Sequence, residues 1–295
     1  MAVLADERGA DATWPPTFGG GLVPLLAFAL AYALWVMASN ALFSWLTGPA
    51  PSMVVESLWN VPSTLLQLGI AVAVLRSEGV TIGEVGLDRR LFAPALAVVA
   101  GGVVVSNVLV TALGVTSGSS LSVGLFAPYR SPPTNFSVTT VAAIGVSNYL
   151  FTGPVEELAF RGYLQNKLTA LFGGFDRLRL AAGILAAAVV FSLIHLPALV
   201  VVRGLAVPTA AGSLVLLAIS GASLGAVYVL TRNLYVVVLL HGFGNLWPLI
   251  VDTGPGTWPN WGVLLLVYAL VVVVYRQWAV RASFGPENWT AAAGS

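Results

Sequence analysis

Long apolar stretches separated by short polar loops run through most of the chain and limit the folds open to it. A helix needs about 20 apolar residues to cross a bilayer, and several stretches reach or approach that length. They are residues 22–46, 61–76, 91–115, 137–162, 180–200, 209–231, 234–251 and 260–280. Only 8% of the 295 residues are charged, too few to cover a soluble protein of this size. The sequence therefore predicts an all-α, polytopic membrane helix bundle with about eight transmembrane helices.

The positions of Lys and Arg predict how these helices are oriented, because cytoplasmic loops collect positive charge. With the N-terminus inside, only Arg130 and Arg203 fall in outside loops. The basic residues of the inside segments are Arg8, Arg76, Arg89, Arg90, Lys167, Arg177, Arg179, Arg232, Arg276 and Arg281. We therefore expect both termini to be cytoplasmic and the protein to be a multi-pass component of the cell membrane.

Charge and cysteine content exclude several functions. A net charge of +1 gives no basis for binding nucleic acid, which attracts strongly basic surfaces. The chain has no Cys, so disulfides, thiolate metal sites and a Cys nucleophile are excluded. Most acidic residues, Glu78 among them, are expected in tails and loops.

The ionisable residues inside predicted spans are confined to one part of the chain. They are Glu156, Glu157, Arg161, His195 and His241, and the two histidines are the only ones in the chain. Such groups cost several kcal/mol at membrane depth unless they are paired or hydrated, and they usually mark function. Their clustering predicts a polar site within the membrane.

Helical spacing separates the roles of the two glutamates. Residues four apart share a helix face, so Glu157 and Arg161 are placed to form an ion pair that supports the helix. Glu156 points about 100° away and has no basic neighbour on its own helix. A carboxylate in this setting suits a general base. Pro154 lacks a backbone N–H and should loosen the helix beside it.

The two histidines each bring a possible partner at helical spacing. Phe191 precedes His195 by one turn, and Pro197 should bend the end of that helix. His241 and Asn245 share one face across two glycines, and together they could donate hydrogen bonds to an oxyanion. Histidines and asparagines also serve as packing contacts between membrane helices, and that alternative stays open from the residues alone.

Three motifs in order resemble those of the CPBP (Abi) family of intramembrane proteases, which includes the type II CAAX prenyl endopeptidases and bacteriocin self-immunity proteins. Residues 156–161, EELAFR, match the family's EExxxR motif. Residues 191–195 match FxxxH, and residues 241–245 match HxxxN. The resemblance covers roughly residues 140–250, and the first 130 residues carry no such motif.

The resemblance implies roles for these residues. Glu156 would act with His195 to activate a water that attacks a peptide carbonyl, while His241 and Asn245 would stabilise the tetrahedral intermediate. The supporting residues would be Glu157, Arg161 and Phe191. The implied substrate is a peptide or protein at the membrane, prenylated or not, and membrane lipid is the other expected partner. The oligomeric state is left open.

The cofactor is left open between two mechanisms. We favour one in which Glu156 and His195 polarise water without a metal. In the other, zinc is held by Glu156, His195 and His241, because two His and one Glu form a legitimate catalytic zinc set.

Four regions are predicted along the chain. They are a polar N-terminal tail (1–21), N-terminal transmembrane helices (22–136), a CPBP/Abi-like catalytic core (137–251), and a final transmembrane helix with a C-terminal tail (252–295). The predicted span boundaries do not bring the motif residues to a common depth in the membrane, so we expect the helix that carries Glu156 to run on toward Leu171.

Two other functions compete with the protease. A transporter or proton relay would also use intramembrane Glu and His, although no internal repeat supports it, and a scaffold would use polar residues only to join helices.

Overall fold

Helices account for most of the structure, a computed structural model that describes residues 15–48, 51–131, 134–253 and 258–281. The helices are α1 (Leu22–Thr47), α2 (Met53–Ser77), α3 (Phe92–Thr116), α4 (Ala127–Arg130), α5 (Val138–Val146), α6 (Gly153–Glu157), α7 (Asn166–Leu171), α8 (Arg177–Leu193), α9 (Val207–Thr231), α10 (Leu234–Asn245) and α11 (Trp258–Arg281). A 3₁₀ turn, Arg89–Leu91, precedes α3. Strands β1 (Ser122–Val123) and β2 (Val251–Asp252) pair antiparallel. The predicted all-α bundle is confirmed, with this short ribbon as an addition.

Six helical segments of the described chain are long and apolar enough to cross a membrane. They are Leu22–Thr47, Met53–Ser77, Arg89–Thr116, Arg177–Val202, Val207–Thr231 and Gly262–Ala279. Each corresponds to one of the predicted apolar stretches. The second begins earlier than predicted because Ser52 caps it by accepting from the Val55 amide, and Pro62 is accommodated inside the helix. The chain is an integral, multi-pass membrane protein.

The two remaining predicted stretches carry motif residues and differ from simple spans. Stretch 234–251 forms a helix only as far as Asn245, a length of 12 residues. At 1.5 Å per residue this helix covers about 18 Å, less than the roughly 30 Å hydrocarbon core. Stretch 137–162 lies within a longer helical run with irregular turns. The glutamates and His241 thus lie in the two segments where the hydropathy prediction of a simple transmembrane span differs most from the structure.

That longer run, residues 138–171, is here called the motif helix. It joins α5, α6 and α7 through two π-helical turns, Ser147–Thr152 and Leu158–Gln165. Pro154 lies between these turns, at the start of the α-helical segment Gly153–Glu157. The motif helix continues to Leu171. This was expected because the predicted span boundaries placed the motif residues at different depths in the membrane. The glutamates therefore lie well inside the helix.

Packing around the motif helix brings the three motifs together. The helix contacts α2 along much of its length, α10 contacts its middle, and α8 contacts its later half. Pairs α8–α9 and α3–α11 complete the bundle. Capping side chains fix where the motif-bearing helices begin: Ser137 accepts from Thr140 N, Asp176 from Leu178 N and Arg179 N, and Asn233 from Tyr235 N.

Glu78, in the turn that ends α2, and Lys167, in α7, form a buried ion pair that was not predicted. The Lys167 Nζ lies 2.6 Å from Oε1 of Glu78, and the two side chains are 2% and 0% exposed. Tyr163 donates its hydroxyl to the same carboxylate, which also accepts from the Gly20 amide. Lys167 donates to the Gly20 carbonyl and lies over the Phe18 ring. This buried ion pair ties the segment before α1 to α2 and the motif helix.

Candidate active site

Glu157 is the centre of the site. Its side chain is 0% exposed, and its Oε1 accepts from Arg161 Nη1 at 2.9 Å and from His241 Nδ1 at 2.5 Å. The ion pair predicted from the spacing of Glu157 and Arg161 is confirmed. The contact with His241 was not predicted, because it joins residues 84 positions apart on different helices. One buried carboxylate therefore links the first and third motifs.

Arg161 extends this link to a third helix. Its Nη2 donates to the Gly221 carbonyl of α9 at 3.0 Å, and its guanidinium lies 4.7 Å from the centre of the Phe191 ring. Arg161 is only 2% exposed, so its charge is compensated by the Glu157 carboxylate, a carbonyl dipole and the face of an aromatic ring. The second motif meets the first through this stacked pair.

His241 stands between the two glutamates. Because a carboxylate can only accept, the ring donates through Nδ1–H to Glu157, and Nε2 points toward Glu156. The distance from Nε2 to Glu156 Oε2 is 3.6 Å, beyond a direct hydrogen bond and within reach of a bridging group. A proton on either Nε2 or Glu156 would remove the repulsion between the facing lone pairs. With His241 protonated and Arg161 charged, the two carboxylates are electrically balanced.

Glu156 differs from its neighbour in exposure and in partners. Its side chain is 13% exposed, whereas that of Glu157 is 0% exposed. His241 is its partner in the described part of the chain. Glu156 is therefore the carboxylate that a substrate or a water can approach, and Glu157 is the one that holds Arg161 and His241 in place.

His195 lies beside the cluster with one ring nitrogen committed. Its Nδ1 donates to the Phe191 carbonyl at 2.7 Å, so Nε2 is the nitrogen left for chemistry. The Phe191 ring centre lies 4.8 Å from that of His195 and 6.3 Å from that of His241, so Phe191 separates the two imidazoles. In the described structure His195 makes no direct hydrogen bond to Glu156. The helix is interrupted at His195, just before Pro197, and a π-helical turn, Ala198–Val202, follows.

Asn245 is exposed at the end of α10, and an amide on the motif helix holds it. Its Nδ2 donates to Oδ1 of Asn148 at 2.9 Å. Sequence analysis missed Asn148, which lies two helical turns before Glu156. A strongly polar but uncharged side chain within a predicted span is the signal that could have found it.

The N-terminal helices also reach the motif helix, although they carry no recognisable motif. Tyr32 of α1 packs edge-on against Phe160, with ring centres 5.5 Å apart, and donates its hydroxyl to Gln67 of α2 at 2.7 Å. Tyr32 is buried. These two helices therefore form a wall behind the EExxxR segment.

The predicted zinc ligands are not gathered into a metal-binding group. Among the described residues, no three His, Asp or Glu side chains lie close enough together to hold a metal ion. Glu156 and His241 are neighbours, while His195 turns one nitrogen to its own helix. The chelation experiment described below tests metal dependence.

Gly242 allows α10 to approach the motif helix closely. A Cβ at this position would lie 2.5 Å from Cδ1 and 2.6 Å from Cε1 of the Tyr149 ring. We expect Gly242→Ala to force the helices apart at a cost of about 1–3 kcal/mol, measured as a lower Tm in detergent. Gly212→Ala in α9 is the matched control, because no atom lies within 4 Å of its added Cβ. Equal Tm values for the two variants would contradict this tight contact.

A cluster of two glutamates, an arginine and a histidine inside a multi-pass helix bundle defines the class: a membrane protein with an intramembrane polar site. Residues 137–247 match the family model described as type II CAAX prenyl endopeptidase Rce1-like. The match agrees with the predicted catalytic core, and the resemblance of this part of the chain to the CPBP family is confirmed. The matched region contains all three motifs and Asn148. Comparisons with curated proteins and with solved structures gave no match.

Proposed function

We propose that the protein is an endopeptidase of the cell membrane that hydrolyses a peptide bond of a membrane-associated substrate. Prenylated C-terminal peptides are the first substrates to test, because the matched family model is that of prenyl endopeptidases. The observation that carries the proposal is the contrast between two adjacent carboxylates. Glu157 is buried and its Oε1 accepts from Arg161 and His241, whereas Glu156 is partly exposed beside His241. A site that only joined helices would have no need of a second, partly exposed carboxylate such as Glu156.

In the proposed reaction, Glu156 takes a proton from a water molecule whose oxygen attacks the scissile carbonyl, and Nε2 of His195 orients that water. Glu156 then delivers the proton to the leaving amine, so that the products are a carboxylic acid and an amine. His241, held through Nδ1 by Glu157, donates from Nε2 to the developing oxyanion together with the Asn245 amide. Donors fixed in place before the reaction are worth most where water is scarce.

Purified wild type and Glu156→Gln, assayed on one panel of fluorogenic peptides, test this proposal. The panel contains prenylated and unprenylated versions of each peptide, with and without chelator. We expect the wild type to cleave and Glu156→Gln to be roughly 10²–10⁴-fold slower, the range for loss of a general base. The variant should keep its Tm, because Glu156 is the more exposed and less engaged carboxylate.

Equal cleavage by wild type and Glu156→Gln would remove Glu156 as the base and indicate a contaminating protease. Activity that survives chelator would support the metal-free mechanism. Loss of activity in chelator, restored by added zinc, would support the zinc mechanism instead. A preference for the prenylated member of each peptide pair would assign the substrate class.

A further inference from the structure

Asn148 is a partly buried residue whose side-chain amide has no role in the proposed reaction so far. It lies in the first π-helical turn of the motif helix, and both ends of its side chain are engaged. Its Nδ2 donates to the Ile144 carbonyl at 2.9 Å, and its Oδ1 accepts from Nδ2 of Asn245 at 2.9 Å. Because a backbone carbonyl can only accept, the amide has one orientation, with its oxygen facing Asn245.

The backbone around Asn148 fixes where this oxygen lies. The Asn148 carbonyl accepts from the Gly153 amide, a five-residue step that belongs to the π-helical turn. A Cβ on Gly153 would lie 2.8 Å from that carbonyl oxygen, so the turn depends on a glycine there. Next to it, Tyr149 packs on Gly242 and donates its hydroxyl to the Leu246 carbonyl at 2.9 Å. Tyr149 thus fixes the end of α10, and Asn148 fixes the amide that α10 presents.

We propose that Asn148 is a positioning residue that orients the Asn245 amide toward the reacting carbonyl. This proposal rests on the proposed function. The Nδ2 of Asn245 carries two hydrogens; the bond to Asn148 uses one and leaves the other to donate to an oxyanion. Asn245 is exposed, so without Asn148 its side chain would sample several rotamers and lose this alignment.

The effect should fall on kcat rather than on KM, because an oxyanion exists in the transition state and not in the bound substrate. Asn148→Leu keeps the approximate size of the side chain and removes both hydrogen bonds. We expect it to lower kcat roughly tenfold, less than the 10²–10³-fold loss typical when an oxyanion donor is itself removed. Asn148→Asp keeps an oxygen that can accept from Asn245, and we expect it to retain more of the wild-type kcat than Asn148→Leu does.

A double-mutant cycle with Asn245→Ala separates positioning from a general structural effect. If Asn148 acts through Asn245, then Asn148→Leu should lower kcat no further when Asn245 is already Ala. Asn40→Leu is the matched control. Asn40 donates to the carbonyl four residues earlier, Val36, at 2.8 Å, as Asn148 does to Ile144, but it lies in α1. It should leave kcat unchanged.

Two results would overturn the role of Asn148 and leave the proposed function standing. One is a wild-type kcat for Asn148→Leu, and the other is the same fractional loss of kcat with and without Asn245→Ala. A lower Tm with unchanged kcat per folded molecule would overturn it as well. These outcomes count against Asn148 only when the wild type cleaves the peptides and Glu156→Gln does not. If Glu156→Gln cleaves as fast as wild type, the proposed function fails first and this role fails with it.

Discussion

Glu157→Gln is expected to destabilise the protein by about 3–5 kcal/mol, because it leaves buried partners of a charge-balanced cluster uncompensated. Arg161 and His241 both donate to Oε1 of Glu157, and none of the three is more than 6% exposed. The neutral amide would face two donors without the charge that balances them. Activity should fall too, because His241 loses the contact that directs its Nε2 toward Glu156.

The adjacent Glu156→Gln variant is the matched control for this prediction. The same chemical change is made one residue earlier on the same helix, at a side chain that is 13% exposed and lies 3.6 Å from Nε2 of His241. Thermal unfolding in detergent should show a Tm roughly 6–20 °C lower for Glu157→Gln, using about 2–4 °C per kcal/mol for a protein of this size. Glu156→Gln should unfold near the wild-type temperature. Equal Tm values for the two variants would contradict the structural role assigned to Glu157.

Lys167→Met is expected to produce the second large loss of stability. It removes the cation from the buried Glu78 carboxylate and leaves that charge with one tyrosine hydroxyl and one backbone amide. Breaking a buried ion pair from one side costs about 3–5 kcal/mol. Methionine keeps most of the length of the side chain, so the loss reports the charge rather than a cavity.

Two further variants test whether Glu78 and Lys167 act as a pair. The double variant Glu78→Gln with Lys167→Met should recover part of the lost stability, because no buried charge is left alone. Arg179→Met breaks the exposed ion pair with Asp176 and should cost no more than about 1 kcal/mol. If Lys167→Met lowers Tm no more than Arg179→Met, the buried pair contributes little to the fold.

The sequence predicted the parts of this structure that depend on local pattern. Hydropathy located the six long spans, and the four-residue spacing of Glu157 and Arg161 predicted their ion pair. The three motifs predicted which segments would meet, and the match to residues 137–247 agrees with them. Their detailed roles in catalysis stay predictions.

Other features depend on packing between distant segments and could not be read from local pattern. Glu78 and Lys167 are 89 residues apart, and each lies where hydropathy falls, so nothing in the local pattern predicted that they would pair in the interior. The contact between Glu157 and His241 joins two motifs that had been assigned separate roles. Asn148 is a polar residue in an apolar stretch, but its contact with Asn245, 97 residues away, appears only once α10 packs against the motif helix.

The two π-helical turns make the motif helix sensitive to length. Each turn holds one residue more than an α-helix would need, and Asn148 and the glutamates lie on opposite sides of Gly153. Removing a single residue from Ser147–Thr152 would let the helix return to regular pairing and rotate everything before it by about 100° relative to Glu156. Asn148 would then face a different neighbour, while every motif letter remained in place. Two chains with identical motifs could therefore differ in activity through one inserted or deleted apolar residue. The number of residues before the first motif should be compared between such chains, as well as the motifs themselves.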